Sequence, residues 1–342
     1  MTPHTFVRRL RAAVALTALV ACASAWSQDK VTLKLADHLP LTHPASKLIS
    51  QALKAEVESL SKGSIELQHF PAEQLAKGAG LLDAARNRVT DIAFVPIAYV
   101  TDKLPLSSVA ELPGLYVDAV AGARALTRLA AGELLEREYL KLGVRPLFAS
   151  MTPNNQLMLT KKGPIGDLDE VKGLKVRVSG STQELAAQSM GLVPVRIGAP
   201  DTYLAVERGT VDGLIFNGQS AFSYKIERLL ASTTTNAPLG TVSFVMVINA
   251  GVWNGLSPAQ RDALTQAAAK IGPAATAAFQ KAAEASYAKL TEVGVKAYEM
   301  SPKLQAQVAE RLKATEQEWV KQLKSRGLPA EETLAAFRRH LQ

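Results

Sequence analysis

The stretch GLKVRVSG, residues 173–180, alternates apolar and polar side chains, so Lys175 and Arg177 share the face opposite Leu174, Val176 and Val178. A period of two is the pattern of a strand. A guanidinium in such a strand either snorkels to water or meets a planar anion through two parallel hydrogen bonds, which an ammonium cannot form. Lys175 sits two residues earlier, away from the carboxyl end where crevices of α/β sheets open, and reads as solvated. Arg177 lies toward that end.

Little else in the chain has the spacing of catalysis. Beyond the first 27 residues there is no cysteine for thiolate chemistry, and the histidines left are His38, His43, His69 and His340. None forms a His-Glu-x-x-His pair, so a zinc enzyme is not expected. There is no Gly-x-Ser-x-Gly elbow, phosphate loop or Gly-x-Gly-x-x-Gly after a strand. No cofactor or metal is therefore expected. Ser179-Gly180-Ser181 offers free backbone amides to an anion, a weak signal. Asp37 and His38, after the first strand, are the only acid and base near a plausible crevice, so an exported enzyme stays open as a second reading. Binding without catalysis stands ahead of it.

The elements that must position Arg177 follow from the rest of the pattern. Arg8, Arg9 and Arg11 precede the apolar run AAVALTALVA and the small residues Ala23-Ser24-Ala25, the layout of a secretory signal over residues 1–27. Leu19-Val20-Ala21-Cys22 also has the form of a lipoprotein box, with lipid on Cys22 as the alternative. Of the formal charge of +8, three units belong to these arginines, which leaves 39 − 3 − 31 = +5 for the remainder. No block of like charges appears, so no nucleic-acid partner is expected. With 47% hydrophobic and 20% charged residues over 342 positions, the chain can bury more than one core.

From residue 30 to about 220, short apolar runs alternate with helical ones: VTLKLAD, SIELQHF and DIAFVPI as strands, then VRPLFAS, LKVRVS, VPVRI and DGLIFN. After VSFVMVINA the chain turns helical, and Pro273 is expected to kink or divide the first long helix. No linker of low complexity separates the two α/β units, which suggests several short crossovers and a hinge.

The segments HPASKLISQALKAEVESLSKGSIELQHFPAEQL, TDIAFVPIAYV, VAELPGL, GPIGDLDEVKGLKVRVSG and PDTYLAVERGTVDGLIFN together resemble the solute-binding proteins of tripartite ATP-independent periplasmic (TRAP) transporters. The resemblance covers essentially everything after the signal. It implies a two-lobed α/β periplasmic binding protein fold with hinge, crossing strands and long C-terminal helices. It also implies capture of a small organic acid, delivery to the membrane subunits of an ion-gradient-driven transporter, and a role for Arg177 in gripping the ligand carboxylate. The corresponding boundaries are residues 28–150 with about 237–275 for lobe I, and 151–236 with about 276–342 for lobe II. The protein is expected in the periplasm as a monomer. A two-lobed sensor that signals to a membrane kinase is a further alternative.

Three departures from the family pattern bear on the ligand. Phe216 stands where relatives often have an asparagine, and Asn217 follows one position later. Either Phe216 forms an apolar wall, or a local bulge turns Asn217 to the ligand. Many relatives have a second arginine ahead of the segment LMLTKKGPI, whereas here Asn154, Asn155 and Gln156 stand there, which favours one carboxylate over two. Asn155 is the expected amide contact. Phe94, Pro96 and Tyr99 occupy places that are polar in some relatives and suggest an apolar wall for an aromatic or branched acid. His38 either bonds the ligand or only starts its loop. Tyr203 reads as core.

Overall fold

The computed structural model describes residues 30–342, which leaves the expected signal segment and Cys22 outside the described residues. Two sheets divide the strands. The first has the order β2 (Ile65–Phe70), β1 (Val31–Ala36), β3 (Ile92–Pro96), β10 (Ser243–Asn249), β4 (Val144–Met151). Here β1 runs parallel to β2 and β3, and β10 is antiparallel to both its neighbours. The second has the order β11 (Lys296–Tyr298), β9 (Ser232–Thr234), β5 (Gln156–Leu159), β8 (Gly213–Phe216), β6 (Lys175–Val178), β7 (Val193–Arg196). The central strands β3, β8 and β10 are buried along their whole length, as near-continuous apolar strands covered on both faces must be.

The chain crosses between the sheets where β4 leads to β5 and where β9 leads back to β10. The two crossings are zipped together: Thr152 N donates to Val242 O at 3.0 Å, and Asn155 N donates to Gly240 O at 2.7 Å. This pair of crossing segments is the hinge that the absence of a linker suggests.

A third connection is the 35-residue helix Pro258–Glu292, which starts on a capping box between Ser257 and Gln260. Its early turns pack Leu264, Ala267 and Ile271 into the core of the first sheet with Leu53 and Ile92, while Leu290 packs against Leu214 and Phe216 of the second. Pro273 does not divide this helix, contrary to expectation. A proline inside a helix costs about 3 kcal/mol, and the contacts of the same helix on two cores outweigh that cost.

The C-terminal helices correct the expected division of the chain. The helix Ala330–Leu341 places Leu334 and Phe337 in the core of the first sheet with Leu126 and Leu129, and Trp319 donates its indole N–H to Ser108 Oγ at 2.9 Å. The helix Pro302–Ser325 begins on the second core, with Leu304 and Val308, and ends on the first, with Trp319 and Leu323. Assigning all of 276–342 to lobe II was therefore wrong. The apolar stripe of the last helix was legible, but its partner, 200 residues away in sequence, was not.

Candidate functional site

Arg177 is 1% exposed and is the largest of the fully buried side chains, whereas Lys175 on the same strand is exposed. The guanidinium is held on three sides. Its Nε donates to Ile197 O at 2.9 Å, and its Nη1 donates to Ser179 Oγ at 2.8 Å and to Ile215 O at 3.5 Å. The Phe216 ring lies beneath it, 4.8 Å from Cζ to the ring centroid. Nη2 is buried with no partner. Arg177 makes no ion pair among the described residues, and burial lowers its pKa, a shift opposed by nearby tyrosines. An arginine remains charged in proteins, and burying an uncompensated cation costs several kcal/mol. The arrangement is a half-satisfied anion clamp.

Arg177 lines a cavity between the two sheets with about 540 Å³ of space not filled by atoms, part of it continuous with solvent. From the second lobe come Arg177, Ser179, Phe216, Asn217 and Tyr224; from the first come His38, His43, Tyr99 and Phe244; Asn155 comes from the crossing segment. Seven of the 18 lining residues carry aromatic rings, and hydroxyls and amides stand among them.

The expected residues fall into place unevenly. Asn155 is fully buried; its backbone N and its Nδ2 both donate to Gly240 O, at 2.7 and 3.0 Å, which leaves Oδ1 buried and unpartnered. The Phe216–Asn217 alternatives resolve without a bulge. Phe216 pairs regularly with Gln156 at the end of β8 and lines the cavity. Asn217 lies just beyond the strand as the N-cap of a short helix, its Oδ1 accepting from Ser220 N at 2.9 Å. Its amide NH2 has no partner among the described residues, and Asn217 lines the cavity too.

His38 stacks on Phe244 (centroids 6.0 Å apart, planes at 18°) and meets Tyr99 edge-on at 5.8 Å. Burial holds its pKa down at about 4, and its Nδ1 has no partner. Tyr99 closes one end of the cavity: its hydroxyl accepts from Ala199 N at 2.7 Å, a bond from one lobe to the other.

Phe94 and Pro96 do not line the cavity. Phe94 is fully buried in the first core and stacks on Phe244 at 4.8 Å, and Pro96 pairs with Phe244 across β3 and β10. Phe244 is the wall and the other two stand behind it. Because β3 is buried on both faces, its period could not say which side chains face the cavity. Sequence reading also missed His43, Tyr224 and Phe244, since nothing in the local pattern of a loop or a buried strand marks a cavity wall; Ser179 had been marked only as part of an anion-binding turn. Tyr203 lies outside the cavity, packed at the edge of the second core and bonded to Glu207.

Asp37 is fully engaged. Its carboxylate accepts from Ser50 Oγ at 2.5 Å, His69 Nε2 at 2.7 Å and Leu39 N at 2.8 Å, and it has no exposed surface. Among the described residues, no group of three or more His, Cys, Asp or Glu is placed to hold a metal ion.

Comparison with known proteins agrees with this geometry. The family model described as bacterial extracellular solute-binding protein, family 7, matches residues 35–323. A solute-binding protein from Albidiferax ferrireducens is 23% identical over 66% of this chain and 67% of its own length. The crystal structure of a TRAP periplasmic solute-binding protein from Bordetella bronchiseptica with bound (R)- and (S)-mandelate superposes with a TM-score of 0.82 at 26% identity, covering 91% of this chain and 98% of that one. A TRAP solute-binding protein from Rhodoferax ferrireducens with copurified benzoate gives a TM-score of 0.82 at 22% identity, with the same coverage.

Proposed function

The chain belongs to family 7 of the bacterial extracellular solute-binding proteins, the solute receptors of TRAP transporters, and on that premise we propose that its cavity takes a small organic monocarboxylate with an aromatic or branched apolar body. The carboxylate lies on Arg177, one oxygen taking the free Nη2, and the Asn217 amide is within the same lining to donate to it. Phe216, Phe244 and Tyr99 form the walls, and Asn155 orients the ligand. Closing the lobes excludes water, which strengthens the ion pair and makes shape count. The loaded receptor then presents its acid to the membrane subunits of an ion-gradient-driven transporter.

One observation carries this reading: a buried guanidinium with an unpartnered nitrogen and no counter-charge among the described residues. A second cationic anchor is missing from the lining, where Arg177 is the only lysine or arginine, and this supports one carboxylate rather than two. The bound acids of the two crystal structures above, mandelate and benzoate, are aromatic monocarboxylates. No catalytic step is proposed, because the Asp37 carboxylate is occupied by three donors and His38 sits among rings with no nucleophile beside it. We place the protein in the periplasm as a monomer; its family is periplasmic, and no helix among the described residues is long and apolar enough to cross a membrane.

The test is calorimetry against a panel of aromatic, aliphatic and dicarboxylic acids. An aromatic or branched monocarboxylate should bind, and Arg177→Ala should abolish the signal. If the variant binds as tightly as the parent, the anchor is misassigned.

A further inference from the structure

Once a carboxylate is on Arg177, the lining still holds polar atoms without partners, His38 Nδ1 among them, and two others are fixed in their donor or acceptor role. One is on His43, which is 7% exposed and lines the cavity. Its Nδ1 accepts the backbone N–H of Ala45 at 3.0 Å, so Nδ1 carries no proton. Burial and the neighbouring His38 push the pKa of His43 down to about 4, so the ring is neutral at neutral pH. A neutral imidazole with a bare Nδ1 must carry its hydrogen on Nε2. That N–H has no partner among the described residues.

The other atom is Asn155 Oδ1. It is buried and unpartnered, and it cannot trade places with its own NH2, because that group donates to Gly240 O. A fixed donor without an acceptor and a fixed acceptor without a donor thus belong to two residues that line one cavity. A buried polar atom such as the Asn155 oxygen is rarely left in this state, because it costs free energy until a partner arrives.

His43 also stands away from the carboxylate clamp. A row of contacts leads from Arg177 over Phe216 (4.8 Å), from Phe216 to Tyr224 (6.1 Å between centroids) and from Tyr224 to His43 (5.6 Å). The rings of Phe216 and Tyr224 thus lie between His43 and the clamp. Simple aromatic or aliphatic acids satisfy only the Arg177 end.

We propose that the ligand carries a hydroxyl in addition to its carboxylate, and that His43 is the residue that selects for it. The hydroxyl oxygen accepts from His43 Nε2–H, and its hydrogen is available to Asn155 Oδ1. This rests on the reading of the cavity as a monocarboxylate site and adds the substituent that the acid bears. A site built to bond a hydroxyl discriminates strongly against the analogue that lacks it, because its own polar atoms are then left bare.

The test is a set of matched ligands: phenylacetate against mandelate and the 2-, 3- and 4-hydroxyphenylacetates, and benzoate against the three hydroxybenzoates, by calorimetry at pH 7.5. At least one hydroxylated acid should bind ten-fold or more tightly than its unsubstituted parent. In His43→Phe, which keeps a ring but has no donor, that ratio should fall to about three or below, and His43→Gln, which restores an N–H donor, should recover part of it. Thermal melts of both variants check that they fold. Equal binding of substituted and unsubstituted acids by the parent protein overturns the inference while leaving the monocarboxylate reading standing, as does a ratio that survives in His43→Phe. Failure of every acid to bind overturns both.

Discussion

Gly180 is the position where lobe closure can be tested apart from ligand chemistry. It lies just past β6 in the second lobe and faces the backbone of Ala98 in the first. A Cβ built on it would sit 2.2 Å from Ala98 O and 2.8 Å from Ala98 C. Its backbone is extended, with φ −164° and ψ −171°, which any residue adopts, so alanine at this position carries no local strain. The penalty of Gly180→Ala therefore falls on the closed arrangement alone. The lobes would have to part by roughly 1 Å at this point to restore van der Waals contact, and forcing an extra methyl into close-packed surroundings costs about 1–3 kcal/mol. Charged to closure, this lowers the population of the binding-competent state, and hence the apparent affinity, by roughly 5- to 150-fold. Calorimetry with the best-binding acid reads the affinity; thermal melting of ligand-free protein reads the fold. The expected result is weakened binding with a ligand-free melting temperature within about 1 °C of the parent, since parting of the lobes relieves the clash without disturbing either core. Unchanged affinity would refute the reasoning. So would a ligand-free melting temperature that falls in proportion to the lost affinity, because the glycine would then serve the fold and not closure.

Two further predictions concern buried groups of the first lobe. Glu111 lies against both lobes: its Oε1 accepts from Ser243 N and Oγ, each at 2.9 Å, and its Oε2 accepts from Thr182 Oγ of the second lobe at 3.4 Å. Burial raises its pKa to about 7 from its ordinary value of 4.5. The folded state thus binds more protons than the unfolded state between these values, so the stability linked to Glu111 is fully present below about pH 4.5 and is lost as pH rises through 7, by about 3 kcal/mol. Glu111→Gln removes that dependence, and its stability relative to the parent should improve between pH 5 and pH 8 in urea melts; a parallel pair of pH profiles would contradict the assignment. Phe337→Ala should lower stability by about 3–5 kcal/mol, the cost of emptying an aromatic site in a core, with the first-lobe core melting together with the C-terminal helix. A loss under about 1 kcal/mol would mean that the last helix is only appended.

How much of this was legible depended on whether the deciding contact was local. The alternation in GLKVRVSG put Lys175 and Arg177 on one face, and position along the strand was enough to separate them, since both are local properties. Strand parity makes Phe216 and Asn217 alternatives, yet Asn217 lies beyond the strand as a helix cap, where parity no longer applies and both residues can face one cavity. For Phe94 and Pro96 parity failed in another way. Both faces of β3 are buried, so an apolar residue there carries no mark of cavity or core. The wall came instead from Phe244 on β10, brought beside β3 from about 150 residues away, and from His43 in a loop whose role depends on an Nδ1 bond that no sequence pattern announces. The same limit explains the last helix, whose partner stripe lies on Ala119–Ala131.

The unpaired state of Arg177 also accounts for why binding and closure should be one event. With the lobes apart, the guanidinium faces water and its Nη2 is hydrated at little cost. Bringing Tyr99 to Ala199 and Ala98 to Gly180 removes that water, so closing without a ligand buries a cation whose counter-charge is missing. Even after relaxation that penalty is several kcal/mol, enough to hold the empty protein open by a factor of a hundred or more. A carboxylate on Nη2 cancels it and gains strength as water leaves. The ligand therefore has a large differential affinity for the closed form, which is what a ligand needs in order to shift an equilibrium. A neutral isostere such as the primary amide of the same acid would fill the walls equally well but leave the buried charge uncompensated. It should bind far more weakly than the acid and should fail to compact the protein in small-angle scattering at any concentration reached. Compaction by the amide would show that shape, and not the buried charge, drives closure.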